Sequence, residues 1–225
     1  MAIFRKKAQQ DTAAIPKNIQ PVGNPTDSVK VYIKQDVYKE IEEYSALDML
    51  NECGSILLGH HIEDENGIHI IISEYIEAKY TDASAASLTF THDTWEYVHT
   101  RHEARCPEKA ILGWHHTHPG YDVFLSSYDM FIQENFFDLP YQTAYVVDPY
   151  KGSRGFFAKL GEEICRLGGF FVYDDDDKKP VKIPQHKVPN PRGTVNIPTP
   201  LLYAGLSLLL LTTLVGVYSL FMLLS

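Results

Sequence analysis

The residues best placed to do chemistry fall in one short stretch, Gly113-Trp114-His115-His116-Thr117-His118-Pro119, followed after six residues by Ser126-Ser127-Tyr128-Asp129. Side chains on a strand repeat every second residue on one face, so His116 and His118 point the same way at the end of a strand that begins at Ala110. Pro119 and Gly120 end that strand, and Ser126 and Asp129, three residues apart, lie on one side of the helix that follows. Two neutral imidazole nitrogens and one carboxylate oxygen make a ligand set suited to zinc (Zn2+), with a fourth tetrahedral position left for water. Zinc lowers the pKa of such a water to about 7, although a nearby carboxylate must still move the protons.

This stretch resembles the signature of the JAMM metalloproteases, the catalytic members of the MPN (JAB) domain family, in which His-x-His-Pro is followed after six residues by Ser-x-x-Asp. The match falls on His116, His118, Pro119, Ser126 and Asp129. The flanks agree, with Leu112-Gly113-Trp114 before the motif and Tyr145-Val146-Val147-Asp148-Pro149 after it, and the resemblance covers about Val29 to Tyr173. The family also carries a Glu at the start of an upstream strand, seven residues before a Gly, which fits Glu52-Cys53-Gly54-Ser55-Ile56-Leu57-Leu58-Gly59. The resemblance implies that Glu52 is the general acid/base, that Ser126 donates a hydrogen bond to the oxyanion, and that the reaction is hydrolysis of a peptide or isopeptide bond. Two positions depart from the pattern: Ser55 stands where relatives more often carry Gly, and His115 replaces an aromatic residue. As the neighbour of His116, His115 is expected to face away from the metal.

Other readings of the same residue types are weaker. A bare His-x-His is usually two ordinary histidines, and Ser126 opening a helix three residues before an acid also reads as a capping box. His99 and His102, with Glu103 beside them, lack a third ligand at metalloprotease spacing and read as a solvated helix face. Asp174 to Asp177 lack the spaced ligands and turn Gly of a calcium loop. Cys53, Cys106 and Cys165 form no Cys-x-x-Cys pair and read as reduced thiols.

The elements that must position the motif alternate between strand and helix periods, so the expected fold is α/β (α+β): an MPN-type curved mixed sheet flanked by helices. A strand at Val29 to Ile33 leads into a helix from Asp36 to Leu50, with Val37, Ile41, Tyr44 and Leu47 on its apolar face. Strands at Gly54 to His60 and Ile68 to Tyr75 flank an Asn66-Gly67 turn signal. A helix from Asp93 to Arg105 precedes the strand from Ala110 to His116, and a second helix spans Ser126 to Phe136. Strands at Gln142 to Val147, Gly155 to Lys159 and Glu163 to Val172 complete the sheet.

The chain is 225 residues long and 44% hydrophobic, enough for one well-packed domain with extra segments. Its net charge of -9 supplies no basic footprint for a phosphate backbone, which argues against nucleic acid as a partner. Residues 1–28 are expected to be a disordered N-terminal segment without a signal peptide, and residues 29–173 the catalytic domain. Residues 174–200, rich in Pro and charge, read as a stalk. Residues 201–224, uncharged and largely apolar, read as a transmembrane tail anchor, with Gly205 and Gly216 on nearly one face. Lys178, Lys179, Lys182, Lys187 and Arg192 before it place the domain on the cytoplasmic side of a membrane.

The resulting expectation is a zinc-dependent peptidase acting on the C-terminal tail of a ubiquitin-like protein at the cytoplasmic membrane surface, its substrate class resting on the resemblance. The alternatives are a non-catalytic MPN scaffold that recruits partners to the membrane, and a peptidase of the same kind with an unrelated peptide substrate. The intact His-x-His and Asp set weighs against the scaffold.

Overall fold

The computed structural model describes residues 14–85, 87–177 and 179–183. Strand β1 (Ile19–Gly23) is followed by β2 (Val29–Lys34) and α1 (Gln35–Ser45), then by the hairpin β3 (Gly54–Asp64) and β4 (Gly67–Glu77). The short pair β5 (Asp82–Ser84) and β6 (Ser87–Thr89) leads to α2 (His92–Arg105), β7 (Ala110–Thr117) and α3 (Ser127–Phe136). Strands β8 (Thr143–Asp148), β9 (Ser153–Leu160), β10 (Glu163–Arg166) and β11 (Gly169–Tyr173) follow. Among the described residues, nine strands form one sheet in the order β1-β11-β2-β4-β3-β7-β8-β9-β10, with β5 and β6 paired apart. β11 and β2, β2 and β4, and β7 and β8 pair in parallel, and the remaining pairs of the large sheet are antiparallel. This mixed sheet with three described helices is an α+β, MPN-like arrangement.

The apolar periods decide which face each helix covers. Val37, Tyr38 and Ile41 of α1 pack with Val31, Ile33, Leu57, Ile70, Ile72 and Tyr145 in one buried cluster. Val98 of α2 and Ile132 of α3 pack with Ile56, Leu58, Trp114 and Val146 in another, on the opposite face. A buried polar contact also ties α1 to the sheet: the Arg154 guanidinium pairs with Glu42 at 2.8 Å, and the Tyr145 hydroxyl donates to the same carboxylate at 2.8 Å. Breaking one partner of such a pair costs about 3–5 kcal/mol, because the other charge stays buried.

Gly113 allows β7 to serve both faces. Its φ is +139°, and a Cβ built there would stand 1.8 Å from the Thr143 carbonyl oxygen on β8. The β3–β7 register shifts between Leu57 and Leu58 opposite this point. The bulge turns Leu112 toward the α1 side while Trp114 faces α2 and α3.

Three expected boundaries move. The first helix ends at Ser45 rather than Leu50, because the Asp48 carboxylate accepts the backbone N–H groups of Leu50 and Asn51 at 2.8 and 2.9 Å and starts a separate turn. Leu47, expected on the apolar face, is therefore 79% exposed. The last expected strand breaks into β10 and β11 because the Leu167 N–H bonds back to the Phe156 carbonyl at 2.8 Å and the Gly168 N–H to Asp27 at 2.8 Å. The domain is also wider than residues 29–173. β1 pairs with β11, Asn18 donates to the carbonyls of Asp176 and Lys179 at 2.8 Å, and Val181 and Ile183 pack against the α1-side core. The expected membrane span, and the expected stalk beyond residue 183, lie outside the described residues. Among the described residues, no helix is long and apolar enough to cross a membrane.

Substituting Gly113→Ala should cost about 3 kcal/mol or more, since both the dihedral and the space oppose a Cβ. Gly161→Ala, at φ +67° with nothing within 4 Å of the new methyl, should cost about 1–2 kcal/mol. Urea denaturation midpoints of the two variants check this, and equal losses would contradict the role given to Gly113.

Candidate metal centre

The first three donors come from the end of one strand and the start of one helix. β7 runs parallel to β8, and the His118 N–H bonds to the Val147 carbonyl at 2.8 Å, so the extended path continues one residue beyond Thr117. His116 and His118 therefore share a face, as the strand period requires. At the helix start, the Asp129 N–H donates to Ser126 Oγ at 3.2 Å, and the Ser126 N–H donates to Asp129 Oδ2 at 2.7 Å. This is a capping box with Asp in the third position, and it fixes the carboxylate while satisfying two free helix donors. Ser126 and Asp129 both stand where the sequence predicts, with the capping role realised.

The three side chains converge in a dry pocket, since His116, His118 and Asp129 are all buried. The two imidazole Nε2 atoms are 3.1 Å apart, and Asp129 oxygens lie 3.5 Å from His116 Nε2 and 3.4 Å from His118 Nε2. A tetrahedral zinc with bonds of about 2.0–2.1 Å separates its ligand atoms by roughly 3.3–3.4 Å. The observed separations lie near that value, with Oδ1 of Asp129 facing His116 and Oδ2 facing His118. Among the described residues these three form the group able to hold a metal ion. His102 instead has Nε2 2.8 Å from the Lys109 carbonyl, and His99 lies against the Trp95 ring.

Glu52 reaches the same point through strand register. Gly54 pairs with His116 across β3 and β7, so two residues earlier on an antiparallel path Glu52 comes opposite His118. The Cys53 N–H donates to Thr117 Oγ1 at 2.9 Å and the Thr117 N–H to the Cys53 carbonyl at 3.0 Å, which extends the pairing beyond β3. Glu52 Oε1 is 3.7 Å from His118 Nε2, and the buried Oε2 has no hydrogen-bond partner among the described residues.

Burial and the neighbouring charges together set the proton affinities here. Burial pushes the Glu52 carboxyl up to about 7, the pull of His118 being outweighed. Burial opposes the charge of Asp129 too, but hydrogen bonds from both imidazoles hold its carboxyl well below the usual range. His116 is lowered, chiefly by burial, while Asp129 and Glu52 raise His118 against its own burial. One site thus holds an ionised carboxylate next to one poised to exchange a proton near neutrality.

Several supporting residues carried only weak signals in the sequence. The Trp114 ring stacks on His116 at 4.2 Å, and its Nε1–H donates to Gln133 Oε1 at 2.9 Å, one helical turn beyond Asp129. The two departures from the family pattern also turn out to be partners. His115, facing away from the metal group as expected, has Nε2 2.9 Å from Ser45 Oγ and Nδ1 3.2 Å from Ser55 Oγ. Ser45 donates its own proton to the Ile41 carbonyl at 2.7 Å, so it accepts from His115 Nε2–H, leaving Nδ1 to accept from Ser55.

His115 and Glu52 change stability with pH in opposite directions. Burial holds His115 down to about 3 against an ordinary 6.5, so between those values the unfolded chain binds the extra proton and stability rises with pH. Glu52, held up to about 7 against 4.5, keeps the extra proton in the folded state, and stability falls as pH rises through that window. In metal-stripped protein, His115→Gln should flatten the urea-midpoint profile between about pH 3 and 6.5, and Glu52→Gln should remove the fall above about pH 4.5. Profiles that match wild type for both variants would contradict these assignments.

A family model described as JAB1/Mov34/MPN/PAD-1 ubiquitin protease matches residues 26–139, which contain every residue of this site. COP9 signalosome complex subunit 5 of Candida glabrata is 35% identical over 91 residues, covering 39% of this chain and 17% of that protein. NAD(+) hydrolase TcpA of a Theionarchaea archaeon is 31% identical over 127 residues, covering 56% of this chain and 34% of that protein. The chain thus spans about a third or less of the length of these two relatives. The solution structure of protein DSY2949 from Desulfitobacterium hafniense aligns with a TM-score of 0.43 at 15% identity, over 60% of this chain and 88% of that one. With the family model matched over half of its length, the chain belongs to the JAB1/Mov34/MPN/PAD-1 ubiquitin protease family.

Proposed function

We propose that the chain is a JAMM-type zinc metallopeptidase that hydrolyses a peptide or isopeptide bond. The observation that carries this reading is the placement of Glu52, with a carboxyl poised near pH 7 and one unpartnered oxygen, beside three donors spaced for a tetrahedral ion. In it, His116, His118 and Asp129 hold the zinc. Bound there, the ion supplies Lewis acidity, acidifying water and polarising a carbonyl.

The chain's own groups do the rest. Glu52 takes a proton from the attacking water and returns one to the leaving amine, a double task that suits a carboxyl near the working pH. Ser126, held at the start of α3, donates its hydroxyl proton to the developing oxyanion. Trp114 and the sheet behind it exclude bulk water, which strengthens each of these contacts.

The substrate in this reading is the C-terminal tail of a ubiquitin-like protein. The family description, which names a ubiquitin protease, supports that class. The loop 121–125 and the segment 78–87 beside the site are short, which suits an extended tail better than a large folded surface. The uncharged stretch Leu201 to Leu224, preceded by Lys and Arg, anchors the protein to a membrane with the domain on the cytoplasmic side.

Zinc content and hydrolysis of a ubiquitin-like tail linked to lysine or a fluorophore test the reading together. Glu52→Gln should keep near-stoichiometric zinc and lose at least about 100-fold in rate, whereas Asp129→Ala should lose both. A folded, metal-free wild-type protein would support the scaffold instead, and a fully active Glu52→Gln would remove the acid/base assignment.

A further inference from the structure

The ligand loop is held by a residue whose hydrogen bonds go to none of the three candidate metal donors. Asp148 ends β8, is fully buried, and spends its carboxylate on four backbone N–H groups. Oδ1 accepts from Gly120 at 2.9 Å, Tyr150 at 2.9 Å and Lys151 at 3.1 Å, and Oδ2 accepts from Asp122 at 2.8 Å. One side chain thereby ties the loop after His118 to the turn between β8 and β9.

Asp122 is the residue this tie constrains most. Its φ is +78°, a left-handed conformation costly for a residue with a Cβ. Such strain persists only where the surroundings over-determine it, and here they do. Besides the bond from its N–H to Asp148, the Asp122 carboxylate accepts from the Val123 N–H at 2.9 Å, the Ser153 hydroxyl at 3.1 Å and Lys151 Nζ at 3.1 Å. The strained turn aims the Asp122 carbonyl oxygen at His118 Nδ1, 3.3 Å away. A carbonyl only accepts, so Nδ1 carries a proton, and Nε2, which faces His116 and Asp129, is the nitrogen left to bind an ion once it gives up any proton shared with Asp129.

We propose that Asp148 is a positioning residue for the metal centre: through Asp122 it fixes the tautomer and ring orientation of His118, so that Nε2 is committed as a ligand before any ion arrives. The assignment rests on the metallopeptidase reading and adds a residue to it. It is specific to one ligand, because His116 Nδ1 has no hydrogen-bond partner among the described residues, and that ring is held instead by stacking on Trp114.

The test compares zinc affinity, by competition with a chromophoric chelator, in the full-length wild type, Asp148→Asn and Asp122→Gly, with the ring 15N shifts of His118 as a second readout. Asn keeps the shape of Asp148 but exchanges one acceptor oxygen for a donor. Folded Asp148→Asn should bind zinc about 10–100-fold more weakly, the range seen when a partner behind a ligand is lost, and its His118 should show mixed tautomers. A purely structural role would lower the unfolding midpoint of the metal-free protein and leave both readouts unchanged, which would overturn the proposal. Should Asp148→Asn fail to fold, Asp122→Gly decides: it keeps the carbonyl and the N–H bond to Asp148 but frees φ and removes the carboxylate's contacts with Val123, Lys151 and Ser153, so the carbonyl is no longer held on His118 and affinity should still fall by about 3-fold or more; unchanged affinity would overturn the proposal that the conformation of Asp122 carries the effect. A wild type that takes up no zinc refutes the metal reading itself and this assignment with it, whereas zinc-binding wild type with equally tight variants refutes this assignment alone.

Discussion

Everything else in this site depends on gathering two imidazole nitrogens and a carboxylate into one buried cluster. Two Nε2 atoms lie 3.1 Å apart, with Asp129 oxygens at 3.4 and 3.5 Å, a crowding of polar groups that water would separate. Burying such groups costs several kcal/mol each unless a proton or a cation joins them. The protein meets that cost from the scaffold: a strand end, a helix cap and a loop carboxylate each fix one donor in place. A divalent ion then gains its full coordination energy with little left to order.

The fold delivers these donors through one parallel relation and one antiparallel one. β7 beside β8 places the ligand loop over Val147 and Asp148, and β3 beside β7 places Glu52 across from His118. The opposite face of the same strands carries the Ser45–His115–Ser55 contacts and the Glu42–Arg154–Tyr145 contacts that seat α1. Since the chain reaches Glu52 from α1 through the turn at Asp48, the position of Glu52 is set from behind the sheet as well as from the site itself. Ser55 and His115 satisfy each other there, with Ser45 completing the buried contact.

Much of this was legible from period and spacing. Alternation placed His116 and His118 together and turned His115 away. The Ser-x-x-Asp spacing gave both the helix start and the third donor. What escaped the sequence depended on contacts between distant segments. Ile19 to Gly23 contains Pro21, which reads as loop, yet an edge strand has no outer partner that needs the missing N–H. Leu47 continued an apolar stripe that the local bonds of Asp48 cut short. The break between β10 and β11 needed the Leu167 to Phe156 bond, and the work of Asp148 and Gln133 needed the chain folded, because the bonds of Asp148 to Gly120 and Asp122 and of Gln133 to Trp114 join segments distant in sequence.

The most direct measurement is X-ray absorption at the zinc edge of the loaded protein, which counts and identifies the atoms around the ion. The account predicts four light neighbours at about 2.0–2.2 Å, two of them imidazole nitrogens and one a carboxylate oxygen, with solvent as the fourth. A sulfur neighbour at about 2.3 Å, or the multiple-scattering signature of only one imidazole, would contradict it.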